Sequence, residues 1–99
     1  MYLIRDIMYC KPGKVRAMVE KYHAMNKLTE SMGLGAMRVM TDYGGERYWT
    51  VIAEIEVPSI EEYETTGQKM MADPKFQDIM KGYHELVDSG RREIFRIEK

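Results

Sequence analysis

The stretch Arg47–Val57, with the sequence RYWTVIAEIEV, is the clearest strand pattern in this chain. Successive side chains of a strand point to opposite faces of a sheet. The odd positions carry Trp49, Val51, Ala53, Ile55 and Val57, and the even positions carry Tyr48, Thr50, Ile52, Glu54 and Glu56. The pattern therefore predicts one fully apolar face that packs under helices, with Trp49 on it as an anchor, and one mixed face.

The run before this strand, residues 35–43, is joined to it by Gly44-Gly45. Two β-type runs separated by two glycines are typical of a tight hairpin. A two-residue loop implies the pairs Asp42 with Arg47, Met40 with Trp49 and Arg38 with Val51. Opposite charges at the first pair favour that register, and Pro58 is expected to end the second strand.

Two helices are predicted by apolar residues at three- and four-residue steps. The first covers residues 14–32 and ends at Gly33. The second begins with the capping box Ser59-Ile60-Glu61-Glu62, is interrupted at Asp73-Pro74, and continues to Val87.

The first and last strands of the sequence complete the pattern. Residues 2–10 are rich in β-branched and aromatic side chains and end at Lys11-Pro12-Gly13. Asp88-Ser89-Gly90 is predicted to turn the chain into a last strand over residues 91–99.

The predicted order β-α-β-β-α-β indicates an α+β protein, with a four-stranded antiparallel sheet and both helices on one face. This is the ferredoxin-like arrangement, and residues 1–99 form one such domain. The other sheet face is half apolar and has no cover within the chain. We therefore expect a homodimer that pairs through this open sheet face.

Composition excludes several classes of protein. The 15 Lys and Arg residues balance 16 Asp and Glu residues, so nothing indicates nucleic-acid binding. Cys10 is the single cysteine, which excludes an intrachain disulfide and a cysteine-rich zinc site. No apolar run is long enough for a signal sequence or a membrane span. We expect a cytoplasmic protein with no membrane partner and no metal.

The layer between helices and sheet is unusually rich in methionine, with ten in 99 residues. Methionine adapts to irregular shapes, and together with aromatic side chains it can enclose a flat apolar ligand. The candidate pocket residues are Tyr22, Met25, Trp49, Met71, Phe76 and Tyr83. The alternative is a filled, methionine-rich core with no ligand.

His84 is the candidate catalytic residue, because imidazole can act as a general base near neutral pH. His84 and His23 each follow a tyrosine on a helix and flank the apolar stripe. The alternative for both is an ordinary surface position. Charged residues also lie within the predicted strands: Arg5, Asp6, Arg38, Glu54, Arg92 and Arg96. They are expected to form ion pairs, or alternatively an anion-binding arginine cluster.

The chain resembles the dimeric α+β barrel superfamily, and within it the NIPSNAP-like proteins. The likeness lies in Lys11-Pro12-Gly13-Lys14 at the head of the first helix, in Ala72-Asp73-Pro74-Lys75-Phe76, and in the closing stretch Arg91–Ile97. It implies a homodimer whose two sheets form one barrel, with ligands held between each sheet and its own helices.

Relatives in the superfamily include cofactor-independent monooxygenases of antibiotic biosynthesis that act on aromatic polyketides, and haem-degrading monooxygenases. The haem-degrading group uses an Asn on the first strand, a Trp and a His on the second helix. Here His84 matches, Asp6 stands near the Asn position, and Trp49 lies on a strand instead. The resemblance therefore implies no required cofactor, with haem as the less favoured choice.

Two functions follow from the sequence. The first is a cofactor-independent monooxygenase-like enzyme that acts on a small planar aromatic compound, with His84 as base. The second is a dimer that binds a small molecule without reaction, or that serves a structural role.

Overall fold

The computed structural model of the chain describes residues 1–98. The strands are β1 (Tyr2–Cys10), β2 (Arg38–Thr41), β3 (Thr50–Val57) and β4 (Val87–Arg96). The helices are α1 (Val15–Ser31), α2 (Ile60–Ala72), α3 (Pro74–Ile79) and α4 (Tyr83–Leu86). The predicted second helix is therefore divided into three, with Gly82 in the left-handed region before α4.

The four strands form one antiparallel sheet in the order β2-β3-β1-β4. This confirms the predicted α+β, ferredoxin-like arrangement. One sheet face carries the core, where α1 packs on β1 and β3. The buried core residues are Met8, Cys10, Met18, Val19, Tyr22, Met25, Val51 and Ala53. The odd positions of β3 therefore face the helices as predicted.

Local capping explains where the helices begin. The Ser59 hydroxyl accepts a hydrogen bond from the backbone N–H of Glu62, which starts α2. The Asp73 carboxylate accepts from the N–H of Lys75, and Pro74 occupies the first position of α3. No helix within residues 1–98 is both long and apolar enough to cross a bilayer.

The predicted two-residue hairpin is wrong. β2 ends at Thr41 and β3 begins at Thr50, so residues 42–49 form a longer loop, and Arg38 lies opposite Glu54 instead of Val51. Asp42 closes this loop, because its carboxylate accepts a hydrogen bond from the N–H of Thr50 at 2.9 Å. The Asp42 side chain is thus hydrogen-bonded to the backbone and does not form an ion pair with Arg47.

The predicted turn at Asp88-Ser89-Gly90 is also wrong, because β4 begins at Val87 directly after α4. Gly90 lies inside the strand opposite Met8. A Cβ atom at Gly90 would approach the Met8 sulfur to 3.0 Å and the Ile7 carbonyl oxygen to 3.2 Å. The glycine therefore permits a close approach between two strands.

A row of alternating charges crosses the open face of the sheet. Arg38, Glu54, Arg5 and Glu93 occupy directly opposed positions on β2, β3, β1 and β4. The Glu54 carboxylate forms ion pairs with the guanidinium groups of Arg5 at 2.6 Å and Arg38 at 2.8 Å. Arg5 also forms an ion pair with Glu93 at 3.4 Å. We call these four residues the charge row. The expectation of ion pairs holds for Arg5, Arg38 and Glu54, whereas Arg96 lies over the Tyr2 ring at 6.0 Å.

Glu54 is the buried centre of the charge row, with 7% of its side chain exposed. The hydrogen bond from Arg38, with that from Arg5, lowers the pKa of Glu54. Its carboxylate therefore stabilises the fold above its unfolded pKa of about 4.3 and loses this effect as pH falls through the lower folded pKa.

Replacing Glu54→Gln should lower the free energy of unfolding by about 2 kcal/mol at pH 7, because a buried carboxylate with two cationic partners is lost. Urea unfolding measures this loss, and the difference from wild type should shrink below pH of about 4. The matched control is Glu64→Gln, an exposed position on α2 away from the open sheet face, with an expected change within about 0.5 kcal/mol. Equal effects of the two variants would contradict the structural role of the charge row.

Candidate ligand-binding site

An ion pair lies on the helix-covered face of the sheet. Asp6 on β1 stands opposite Arg92 on β4, and the Arg92 Nε donates to the Asp6 carboxylate at 2.6 Å. This hydrogen bond raises the pKa of Arg92, so the guanidinium stays charged. Arg92 keeps 53% of its side chain exposed and Asp6 keeps 21%. The pair is therefore reachable from solvent at the β4 side of the layer.

Three tyrosines from three helices lie within electrostatic reach of this pair. Tyr22 on α1 is buried, and Tyr63 on α2 and Tyr83 on α4 are half-buried. Burial raises the pKa of each phenol, and the negative charge of Asp6 raises each further. All three phenols therefore remain protonated at neutral pH and are available as hydrogen-bond donors.

The contacts of these tyrosines are weak ones. The Tyr83 hydroxyl lies 3.6 Å from the Met8 sulfur, which is a poor acceptor. The Tyr63 ring lies beside Arg92, with 5.5 Å between the guanidinium carbon and the ring centroid. Among residues 1–98, no strong side-chain hydrogen bond uses up the Tyr63 or Tyr83 hydroxyl. We call Asp6, Arg92, Tyr22, Tyr63 and Tyr83 the tyrosine–ion-pair site.

This site can recognise a ligand with both apolar and acidic parts. The guanidinium of Arg92 suits an oxyanion, and the phenols of Tyr63 and Tyr83 can donate to the same ligand. Partly buried apolar side chains adjoin the core on the α3 and α4 side: Phe76, Ile79, Met80 and Leu86. Apolar walls with a few converging polar groups are typical of small-molecule sites.

The structure brings together only part of the predicted pocket. Tyr22 and Met25 are buried in the core, and Phe76 and Tyr83 pack against it. Met71 is 70% exposed, whereas Met70 is buried. The inward methionine of α2 is therefore Met70, and the assignment of Met71 to the pocket lining is corrected.

Trp49 and His84 lie apart from the layer that the pattern predicts for them. Trp49 precedes β3, adopts a left-handed φ of 62° and is 43% exposed. It lines a cleft beside α1 and β2, so it is not an anchor on the core face of β3. His84 is exposed on α4, and its ring meets the Tyr83 ring edge-on at 5.4 Å.

Sequence reasoning noted Asp6 and Arg92 as strand charges and did not place them at the centre of a site. The available signal is a pair of opposed dipeptides, Arg5-Asp6 on β1 and Arg92-Glu93 on β4. In an antiparallel register these match charge to charge on both faces. Tyr63 is not among the predicted pocket residues, because its position beside Arg92 depends on the β1–β4 register.

The haem-degrading residue set does not assemble here. Asp6 is engaged by Arg92, and Trp49 lies outside the helices. Within residues 1–98, no cluster of three or more His, Cys, Asp or Glu side chains has the geometry to hold a metal ion.

Comparison with known proteins supports the fold at low sequence identity. No family model matches the chain, and no curated protein matches it. An uncharacterised NIPSNAP domain protein from Burkholderia xenovorans superposes with a TM-score of 0.82 at 14% identity, covering 99% of this chain and 95% of that one. A NIPSNAP family protein from Agrobacterium tumefaciens gives 0.83 at 15% identity, covering 98% and 92%.

A second group of solved structures is also similar. A putative antibiotic biosynthesis monooxygenase from Nitrosomonas europaea superposes with a TM-score of 0.75 at 8% identity over the full length of both chains. At these identities the similarity establishes the fold alone. The chain therefore has the α+β, ferredoxin-like fold of NIPSNAP proteins and of antibiotic biosynthesis monooxygenase-like proteins.

Proposed function

We propose that the chain forms a homodimeric α+β barrel and that each subunit binds a small planar aromatic compound between its own sheet and helices. The observation that carries this proposal is the tyrosine–ion-pair site, where the partly exposed pair of Asp6 and Arg92 lies beside the Tyr63 ring on the helix-covered face of the sheet. We further propose that the bound compound is oxidised by O₂ without a cofactor.

Dimerisation is supported by the open sheet face. The charge row is flanked there by rows that are apolar at most positions. Met40, Ile52 and Ile7 share one neighbouring row with Arg91. Leu3 lies between Glu56 and Phe95 in the row on the other side, and Phe95 is 45% exposed. An apolar face with an embedded, already paired charge row suits a second copy of the same sheet.

Ile52→Lys should convert the dimer to a monomer, because it places an unpaired cation at the centre of the paired sheets. Light scattering measures the mass of each form. Met71→Lys is the control, since Met71 is 70% exposed on α2 and lies outside the open face. An Ile52→Lys variant that stays dimeric would refute this interface.

The tyrosine–ion-pair site suits a ligand that carries an acidic hydroxyl or an activated CH₂ group. Arg92 would hold the oxygen that becomes negative when the ligand loses a proton. Tyr63 and Tyr83 would donate hydrogen bonds to the same region of the ligand. The aromatic rings would lie against the apolar side chains of α3 and α4, which adjoin the core.

The proposed reaction needs only the ligand and O₂. A base removes a proton from an activated CH₂ group, and Arg92 stabilises the resulting enolate. The electron-rich carbon transfers electrons to O₂ and forms a C–O bond, and protonation gives a hydroperoxide. Loss of water from the hydroperoxide leaves a carbonyl group, so one oxygen atom enters the product and the other leaves as water.

Anthrone is a suitable probe, because it is planar and carries one activated CH₂ group between two rings. The wild-type protein should accelerate O₂ uptake and formation of anthraquinone. Arg92→Gln should lower turnover about a hundredfold, as expected when a group that stabilises an oxyanion is removed. Arg96→Gln is the control, since Arg96 lies on the same strand four residues away. Equal rates for the two variants would contradict the role of Arg92.

Two groups are proposed as the base. Asp6 touches Arg92 directly, whereas His84 meets the site through the edge of Tyr83. We expect Asp6→Asn to lower turnover about a hundredfold. His84→Ala should leave the melting temperature nearly unchanged, so that any loss of turnover in this variant is not due to unfolding. The anthrone assay of both variants decides the assignment, because turnover lost only in His84→Ala assigns the proton transfer to His84 instead.

Binding without reaction is the second candidate function. The ion pair favours it, because the Asp6 carboxylate already accepts a hydrogen bond from the Arg92 guanidinium at 2.6 Å and would have to exchange this partner to serve as a base. This function predicts that a planar aromatic compound raises the melting temperature and is recovered chemically unchanged after aerobic incubation. Recovery of the oxidised product would exclude it.

A further inference from the structure

A separate cleft of about 480 Å³ lies on the β2 side of α1. Its apolar part is formed by Val15 and Val19 of α1, by Val39 of β2 and by the ring of Trp49. This volume lies within the range that accommodates small organic ligands. The cleft shares no residue with the tyrosine–ion-pair site, so it does not depend on the proposed function.

Trp49 is held in a defined position at the edge of this cleft. Its φ of 62° is a left-handed conformation that a large L side chain rarely adopts. The Trp49 carbonyl accepts a hydrogen bond from the Cys10 N–H at 2.8 Å. The next residue, Thr50, is fixed by its bonds to Asp42 and Arg47. The surrounding hydrogen bonds thus maintain a conformation that presents the indole to the cleft.

The cleft has two basic side chains in its lining, Arg16 and His23. They line it from the same side of α1, seven residues or about two turns apart. Both are exposed, and neither forms an ion pair with another of residues 1–98. None of the residues lining the cleft is acidic.

The cleft on the other flank of α1 shows a different arrangement. It is lined by Glu20 and Glu85 together with Lys21 and Lys81. The Lys21 ammonium links α1 to the end of α3 there, because it donates a hydrogen bond to the carbonyl of Ile79 at 2.8 Å. That cleft has mixed charge and a lysine bonded to a backbone carbonyl, whereas the Trp49 cleft has an arginine and a histidine that form no ion pair with the part of the chain that the structure describes.

We propose that the Trp49 cleft binds a small planar aromatic anion. The ring of the ligand packs against the indole of Trp49 and the valines of α1. Its carboxylate is bound by Arg16, with His23 as the second donor. A neutral analogue of the same shape loses the charge-assisted hydrogen bonds and binds more weakly.

Trp49 is the single tryptophan of the chain, so its fluorescence reports directly on this cleft. The probe is 4-nitrobenzoate, a planar anion whose nitro group quenches indole fluorescence. We expect saturable quenching, and binding about tenfold weaker for the neutral 4-nitrobenzamide. The same loss is expected for the double variant Arg16→Gln, His23→Gln, and no loss for the control Lys69→Gln on α2.

Fluorescence titration of Arg92→Gln separates this cleft from the site at Arg92, because 4-nitrobenzoate should quench Trp49 in that variant with unchanged affinity. Three results would overturn the proposal. These are quenching that rises linearly without saturation, equal affinity in the Arg16 and His23 double variant, and loss of binding in Arg92→Gln.

Discussion

The ion pair between Arg5 and Glu54 is the contact on which the rest of the structure depends. It joins the two central strands at 2.6 Å, and each partner extends the charge row to an edge strand, through Arg38 on β2 and Glu93 on β4. A shift of one residue in any strand pairing would turn the apolar positions of that strand to the wrong face. It would also leave Glu54, whose side chain is 7% exposed, without its cations.

The same register places the candidate site on the opposite face. Adjacent residues of a strand point to opposite sides, so fixing Arg5 in the charge row directs Asp6 toward the helices. In β4 the pairing of Arg5 with Glu93 likewise sets Arg92 against Asp6. The helices then supply Tyr22, Tyr63 and Tyr83 around a pair that the sheet has already fixed. The charge row on the open face and the tyrosine–ion-pair site on the helix-covered face are therefore two consequences of one alignment.

Features governed by neighbouring residues could be predicted from the sequence, because the causes are local. Examples are the cap at Ser59, the break at Asp73-Pro74 and the apolar face of β3. The hairpin register was mispredicted because Gly44-Gly45 favours a short loop, whereas the observed pairing depends on Arg38 reaching Glu54 sixteen residues away. Adjacent Met70 and Met71 are equally apolar, and only the packing of α2 distinguishes them.

Double-mutant analysis of Arg5 and Glu54 tests the alignment most directly. The unfolding free energies of wild type, Arg5→Gln, Glu54→Gln and the double variant give the coupling energy between the two side chains. The structure predicts a favourable coupling of at least about 1 kcal/mol at neutral pH. A coupling within about 0.3 kcal/mol of zero would show that the two residues act independently and would contradict the central role given to this pair.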